Sequence, residues 1–161
     1  KIRCLLATTL LAAAFVSCDP GFRQNFFFQN NSGHGVTIVA LIDTADMYFV
    51  SPIDSIRHRW FQNPDGITIP AGETVLLYAD GGLGTASEKV VADRLRCIYS
   101  DSVHFVFDDG RYLYYHHEIP ATHSPYEDDS YLFEGEFHRL SSEGTSTYVL
   151  TNEDYCRAIA P

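Results

Sequence analysis

The sequence has 161 residues and a formal charge of −10, from 21 acidic and 11 basic side chains. Hydrophobic residues make up 45% of it, which supplies enough apolar surface for one domain of ordinary size with its own core. Such an acidic surface repels phosphate backbones, and no basic stripe compensates for it. The composition therefore argues against nucleic-acid binding and against electrostatic attachment to an anionic membrane.

Residues 1–17 have the order of charge, apolar core and small residue that is typical of a secretory signal peptide. Lys1 and Arg3 form the positive start, an apolar run extends to Val16, and Ser17 is the small residue. The run is too short for a membrane-spanning helix, which takes roughly 20 residues. Loss of Lys1 and Arg3 with the signal would lower the formal charge by two, from −10 to −12.

Residues 15–18, Phe-Val-Ser-Cys, resemble the lipobox of bacterial lipoproteins, in which a small residue precedes a cysteine. The resemblance implies that Cys18 is acylated, becomes the new N-terminus and anchors the protein to a membrane. Two or three acyl chains hold a protein firmly, at about 0.8 kcal/mol per buried CH₂. The alternative is an ordinary cleaved signal in which Cys18 is incidental. We expect residues 18–25 to be the lipidated N-terminus and a short tether, and residues 26–161 to be a single β-rich domain.

Two further cysteines, Cys97 and Cys156, belong to the exported part of the chain. Export places them in an oxidising compartment, where disulfides persist. Two positions give no spacing pattern, so a Cys97–Cys156 disulfide and two buried free thiols both remain open.

The first half of the exported chain is predicted to form short strands separated by turns. The cluster at residues 30–35 and the tripeptide Pro70-Ala71-Gly72 are typical turn sequences. Residues 85–95 predict a helix, because Thr85 and Glu88 have the spacing of a capping box. The aromatic run 26–28 is expected to be a strand buried on both faces. The predicted strands are residues 26–28, 36–42, 48–50, 56–61, 67–69 and 74–78.

The clearest predicted element is a hairpin formed by residues 103–107 and 111–117. Asp109-Gly110 between them suits a two-residue type I′ turn, in which both positions need a positive φ. That turn pairs Asp108 with Arg111. It also predicts the set of side chains on the core face: Val103, Phe105, Phe107, Tyr112 and Tyr114.

The C-terminal part is predicted to hold a polar loop, a second hairpin and a helix. The loop covers residues 116–132, and the hairpin pairs residues 133–140 with 145–150 around a turn at 141–144. Thr151 and Asp154 have capping-box spacing for a helix over residues 152–159. Many short strands with one or two short helices predict a mainly β fold, an antiparallel β-sandwich that is immunoglobulin-like or similar.

Four segments, taken together and in order, resemble small envelope lipoproteins of Bacteroidetes. They are residues 30–38 (NNSGHGVTI), 69–73 (IPAGE), 101–110 (DSVHFVFDDG) and 151–158 (TNEDYCRA). The resemblance implies placement in the cell envelope, at the outer membrane, on its periplasmic or its surface side. It implies no activity and supplies no catalytic residues.

Several constellations could carry chemistry, but each has a simpler interpretation. Gly82-Leu83-Gly84 suggests a dinucleotide fingerprint, yet its third glycine position is Ser87, and an ordinary glycine turn is favoured. The acidic run 127–129 lacks the glycine and the spaced acids of known calcium loops. His104 and His117 would be diagonal neighbours on the hairpin, but no spacing indicates a zinc site. The other histidines considered as ligands are His116, His123 and His138.

The most specific ligand hypothesis is a platform of aromatic side chains that stacks on sugars, although aromatic residues in strands usually belong to the core. The candidates are Tyr48, Phe49, Trp60, Phe61, Tyr112, Tyr114 and Tyr115. No Gly-x-Ser-x-Gly or His-Glu-x-x-His motif is present. We therefore expect a non-enzymatic envelope lipoprotein without a cofactor or metal that binds a protein or a glycan or serves as an accessory subunit. The alternative is a small hydrolase or metal-dependent enzyme.

Overall fold

Eight strands, one complete α-helix and one short 3₁₀ helix are found in the computed structural model, which describes residues 21–41, 65–83, 98–137 and 141–161; among these, Ile98 and Tyr99 are also helical. The 3₁₀ helix covers Asp128–Ser130. The remaining elements are β1 (Gly21–Asn31), β2 (Val36–Leu41), β3 (Ile67–Ile69), β4 (Thr74–Leu83), β5 (Ser102–Phe107), β6 (Tyr112–His116), β7 (Tyr131–Phe137), β8 (Ser141–Thr151) and α1 (Asn152–Arg157).

The strands form two four-stranded sheets. The first has the order β4-β1-β8-β7 and the second β3-β2-β5-β6. All neighbours are antiparallel except β1 and β8, which pair in parallel. Phe28 of the first sheet contacts Phe105 of the second edge to face, with ring centroids 5.4 Å apart. Buried side chains of both sheets form one core, so the predicted β-sandwich is confirmed.

Strand β1 alternates along its length and carries one face of the core. Phe26 and Phe28 are buried, whereas Phe27 lies on the opposite face and is partly exposed. The expectation that this strand is buried on both faces is therefore wrong. The strand begins at Gly21, and residues 21–25, which the sequence assigned to the tether, pair with both β4 and β8.

The turn at Pro70-Ala71-Gly72 is found as predicted, and it carries the chain from the second sheet to the first. Gly72 has φ +81°, which favours glycine. The buried side chain of Asn30 fastens this turn, because its Nδ2 donates to the carbonyl oxygens of His34 (2.7 Å), Ile69 (3.0 Å) and Pro70 (3.1 Å). One amide therefore links two turns at the same end of the sandwich.

The β5–β6 hairpin exists, but its turn differs from the prediction. The Phe107 N–H donates to the Arg111 carbonyl at 2.8 Å, and the Gly110 N–H donates to the Phe107 carbonyl at 2.9 Å. The loop therefore has three residues, 108–110. Gly110 has φ +87°, whereas Asp109 is not among the residues with positive φ, so the type I′ turn is wrong.

The extra loop residue shifts the register by one and exchanges the faces of β6. Phe105 pairs with Leu113, and Val103 pairs with Tyr115. Leu113 and Tyr115 are consequently buried, and Tyr112 and Tyr114, predicted for the core, lie on the outer face. The prediction was correct for β5 and wrong for β6, because a one-residue slip turns every side chain of a strand over.

The predicted turn at residues 141–144 is also wrong. Those residues are the beginning of β8, and Gly144 pairs with Gly135 on one side and Gln24 on the other. A central strand gains hydrogen bonds from two neighbours, and this outweighs the local turn preference of the Ser-Ser-Glu-Gly sequence.

The C-terminal helix begins as predicted. The Asp154 N–H donates to Thr151 Oγ1 at 3.3 Å, and the Thr151 N–H donates to Asp154 Oδ2 at 2.7 Å, which completes the capping box. The helix ends at Arg157, earlier than predicted, because Ile159 forms a β-bridge with Tyr112. The strands predicted at 48–50 and 56–61 and the helix predicted at 85–95 lie outside the described residues.

Candidate functional site

The outer side of the second sheet carries three aromatic rings on two neighbouring strands. His104 of β5 pairs with Tyr114 of β6, and Val106 pairs with Tyr112. Alternation along β5 and β6 directs Phe105 and Leu113 into the core and these four side chains outward. We name the set His104, Val106, Tyr112 and Tyr114 the aromatic face.

The rings of the aromatic face contact one another. The His104 ring lies 5.9 Å from the Tyr112 ring, with 28° between their planes, and 5.0 Å from the Tyr114 ring, with 85° between them. Tyr114 is 45% exposed, which is high for a large aromatic side chain. The face therefore offers both ring surface and phenolic hydroxyls to solvent.

Within β2, β3, β5 and β6 the outward positions around the aromatic face carry no carboxylate and no ammonium or guanidinium group, although the chain has formal charge −10. These described positions of β2, β3, β5 and β6 alternate with core residues and are Thr37, Val39, Leu41, Thr68, Ser102, His104, Val106, Tyr112, Tyr114 and His116. The nearest charged side chains in the described residues, Asp108, Asp109 and Arg111, belong to the β5–β6 turn and its flank, where Asp108 contacts His34 and Arg111 contacts Asp109. The outer side of the first sheet differs, because Arg23, Glu134 and Glu143 lie there beside apolar side chains.

One end of the sandwich holds a second cluster, which contains residues from three of the four segments that carry the resemblance. The His34 ring stacks on Tyr155 at 3.8 Å, and its Nδ1 lies 3.2 Å from Asp108 Oδ1. The Tyr155 hydroxyl donates to Asp109 Oδ2 at 2.8 Å, which lowers the pKa of Asp109 and raises the pKa of Tyr155. The Arg111 guanidinium lies 5.0 Å from the Tyr155 ring centre. These contacts hold α1 against the turn at residues 32–35 and the turn at residues 108–110. We name the stacked pair His34 and Tyr155 the clasp.

A buried carboxylate forms the third cluster. Asp154 is 1% exposed and accepts hydrogen bonds from His123 Nδ1 (2.8 Å), from the Thr151 N–H (2.7 Å), from Thr151 Oγ1 (2.8 Å) and from the Arg157 guanidinium. Burial acts to raise the pKa of Asp154, but the hydrogen bonds from His123 and Thr151 outweigh it and lower that pKa. The sequence identified Asp154 as a cap, and only the fold shows that it is also a buried ion.

Two tyrosines of the core, Tyr148 and Tyr115, lie near enough to this carboxylate to feel its charge. The Tyr148 ring stacks on His123 at 4.8 Å, and its hydroxyl donates to the His123 carbonyl at 2.8 Å. His123 has φ +56°, unusual for a non-glycine residue. The Tyr115 hydroxyl is buried and has no hydrogen-bond partner among the described residues. Burial, with the charge of Asp154 nearby, raises the pKa of Tyr115.

The Asp154–His123 pair resembles the acid and the histidine of a catalytic triad only in part. A nucleophilic site also needs a Ser, Thr or Cys side chain within hydrogen-bond reach of the imidazole. In the described ranges, His123 contacts Asp154 and Tyr148, and neither supplies such a nucleophile. The pair instead ties the loop before β7 to α1.

The residues predicted to carry the anchor and the disulfide are mostly outside the described part. Cys18 and Cys97 lie in undescribed ranges. Cys156 lies on α1 and is exposed, so the alternative of two buried thiols is wrong for Cys156. Its pairing with Cys97 stays a prediction.

The described histidines and acids that were considered as metal ligands do not converge. In the observed register, the residue opposite His104 on β6 is Tyr114, and His117 is not its neighbour. His117 instead contacts Asp101, with 3.2 Å between its Nδ1 and the Asp101 carbonyl oxygen. Asp128 and Asp129 are exposed in the 3₁₀ helix. In the four described ranges, no group of three or more His, Cys, Asp or Glu side chains could hold a metal ion.

The remaining sequence candidates divide between strand, core and undescribed residues. Gly82 and Leu83 belong to β4 and pair with β1, so the favoured glycine turn is not found at these two positions. Tyr115 is a core residue and cannot belong to an outer platform. Candidates outside the described residues are Tyr48, Phe49, Trp60, Phe61, Gly84 and His138.

The fold defines the protein as a β-sandwich. A comparison with models of known protein families found no match, and neither did a comparison with curated proteins. No helix among the described residues is long and apolar enough to cross a membrane.

Proposed function

We propose that this protein is a lipid-anchored envelope protein that works by binding a glycan or another protein, without catalysis. The observation that carries the proposal is the aromatic face, where Tyr114 is exposed, and Tyr112 and His104 are partly exposed, on a sheet that buries its other side in the core. Side chains that combine an apolar body with a polar tip are enriched where proteins bind partners.

The start of β1 supports an anchored domain held close to its membrane. Gly21, the first residue of β1, is only three residues after Cys18, a reach of at most about 11 Å. Strand β1 has 11 residues and extends about 35 Å at 3.3 Å per residue. The clasp formed by His34 and Tyr155 lies at the far end of this strand, so the proposed anchor and the clasp are at opposite ends of the sandwich.

The anchor is tested with the full-length chain in cells. Cys18→Ala should leave the protein without lipid and move it from the detergent phase to the aqueous phase on phase separation. Cys156→Ala is the matched control and should stay in the detergent phase. A Cys18→Ala protein that still fractionates with detergent would contradict the anchor.

The binding role is tested by crosslinking in intact cells. A photoreactive residue in place of Tyr114 should capture a partner, whereas the same residue in place of Leu132, which is 64% exposed on the other sheet, should not. Equal capture from both positions, or none from either, would refute the aromatic face as the binding surface.

A small hydrolase is the second candidate, and the Asp154–His123 pair is the one observation that favours it. A carboxylate on Nδ1 orients an imidazole as a general base. Turnover of an envelope substrate that is abolished by His123→Gln, in a variant with unchanged circular dichroism, would establish it. Unchanged turnover in that variant would reject it.

A further inference from the structure

We propose that the aromatic face binds an uncharged glycan, which rests on the proposed binding function and specifies its ligand. Three features support a neutral glycan: the rings on the outer side of the sheet, the kind of polar groups beside them, and the lack of charged side chains at the outward strand positions. Each concerns side chains whose outward direction follows from the observed strand register.

The rings offer a surface that suits the C–H faces of sugars. Tyr112 and Tyr114 are successive outward residues of β6, so they stand about 7 Å apart along the strand. His104 lies beside both, with ring centres 5.9 Å and 5.0 Å away. Stacking on an aromatic ring stabilises a complex by more than the burial of apolar area alone. Rings that a sheet already holds in place also lose little conformational entropy on binding.

Every polar side chain at these outward positions both donates and accepts hydrogen bonds. Tyr112 and Tyr114 are phenols, His104 is an imidazole, and Thr37 and Thr68 are alcohols whose hydroxyls lie 2.9 Å apart. Sugar hydroxyls also donate and accept. Carboxylates would only accept and ammonium groups would only donate, and neither type occurs here.

The lack of charged side chains at these outward positions favours a neutral glycan over the other ligands that the face could bind. An acidic polysaccharide or an anionic lipid surface needs cations, and a basic peptide needs carboxylates. The outer side of the first sheet is different, because the row Leu76, Phe27, Thr147 and Leu132 has Arg23 and Glu134 on the same side. The two outer faces of one molecule therefore provide a test surface and a control surface.

The experiment uses the full-length lipoprotein in detergent micelles and measures its retardation in native gels that contain a polysaccharide. The probes are neutral amylose, xylan, mannan and β-1,3-glucan, with polygalacturonate and heparin as charged probes. At least one neutral polymer should retard the wild-type protein. Tyr114→Ala should weaken that binding about tenfold, the size of one lost stacking contact of roughly 1.4 kcal/mol.

Two further variants separate ring, hydroxyl and general surface effects. Tyr114→Phe keeps the ring and should lose less affinity than Tyr114→Ala, and Leu132→Ala should bind like the wild type. Retardation by charged polymers alone, by none of the polymers, or equally for Tyr114→Ala and wild type would overturn the inference. If the photoreactive residue at position 114 captures a protein while no glycan binds, the glycan is wrong and the binding function stands. If neither is found, both fail.

Discussion

Asp154→Asn tests whether the buried carboxylate stabilises the C-terminal part of the sandwich. Asp154 is 1% exposed and accepts hydrogen bonds from donors in three places: the loop residue His123, the helix cap Thr151 and Arg157 of the helix itself. An amide is nearly the same size but keeps one acceptor oxygen and places two N–H groups against these donors. The change therefore removes charge and acceptor capacity without leaving a cavity.

The expected loss is about 3 kcal/mol of the free energy of unfolding. Breaking a buried ion pair by removing one partner costs roughly 3–5 kcal/mol. The lower limit applies, because the side chains of Arg157 and His123 are 34% and 26% exposed and retain contact with water. The loss of about 3 kcal/mol already includes the loss of the carboxylate that completes the capping box, since a cap contributes about 1 kcal/mol.

Urea unfolding followed by tryptophan fluorescence and circular dichroism measures this loss. Glu153→Gln is the matched control, because Glu153 is an exposed acid in the same helical turn and its loss should cost less than about 1 kcal/mol. A cost for Asp154→Asn within 1 kcal/mol of that control would refute the structural role of the carboxylate.

The same carboxylate makes a signed prediction about pH. The pKa of Asp154 is lowered in the folded state, so its contribution is complete above the ordinary aspartate value of about 4 and is lost as the pH falls through the lower, folded-state pKa. The wild type should therefore lose stability relative to Asp154→Asn only below about pH 4. A gap between the two proteins that is constant from pH 6 to pH 2 would contradict this assignment.

The remaining predictions concern two pairs of matched substitutions. Tyr115→Phe removes a buried hydroxyl that has no partner among the described residues and should leave stability unchanged or raise it, whereas Tyr148→Phe breaks the bond to the His123 carbonyl and should cost about 1 kcal/mol; a reversed order in urea unfolding would contradict the assignment of these hydroxyls. Gly66→Ala and Gly72→Ala both place alanine at positive φ, but a Cβ at Gly66 would meet a backbone oxygen at 2.4 Å and a Cβ at Gly72 meets nothing within 4 Å. We expect the free energy of unfolding to fall by about 1 kcal/mol for Gly72→Ala and by clearly more for Gly66→Ala. Equal melting temperatures of the two variants would show that the close contact at Gly66 is absent.

Features that depend on nearby residues could be predicted from the sequence. The capping box at Thr151 and Asp154, the turn at Pro70-Ala71-Gly72 and the outward alternation of β5 follow from spacing within a few positions. The β-sandwich also follows, since many short strands with turns between them have few other ways to bury one face each.

Features that depend on distant residues could not be predicted. The parallel pairing of β1 with β8 joins residues more than 100 positions apart and draws residues 141–144 into a strand. Asp154 is buried next to His123, which lies 31 positions earlier in the sequence, so no local spacing predicts that the two residues are in contact. The hairpin register was missed for a subtler reason: Asp109-Gly110 fits both a two-residue and a three-residue loop, and the sequence gives no signal that Asp108 belongs to the loop.

That single-residue difference decides the location of the candidate site. With the two-residue loop, Tyr112 and Tyr114 would fill the core and Tyr115 would face solvent; with the observed loop the opposite holds. The segments that carry the lipoprotein resemblance include the clasp residues His34 and Tyr155, which hold the end of the sandwich together, but neither tyrosine of the aromatic face. We therefore expect that proteins sharing these segments share the sandwich and its clasp, and that under the proposed binding function the outward residues of β6 would distinguish their ligands.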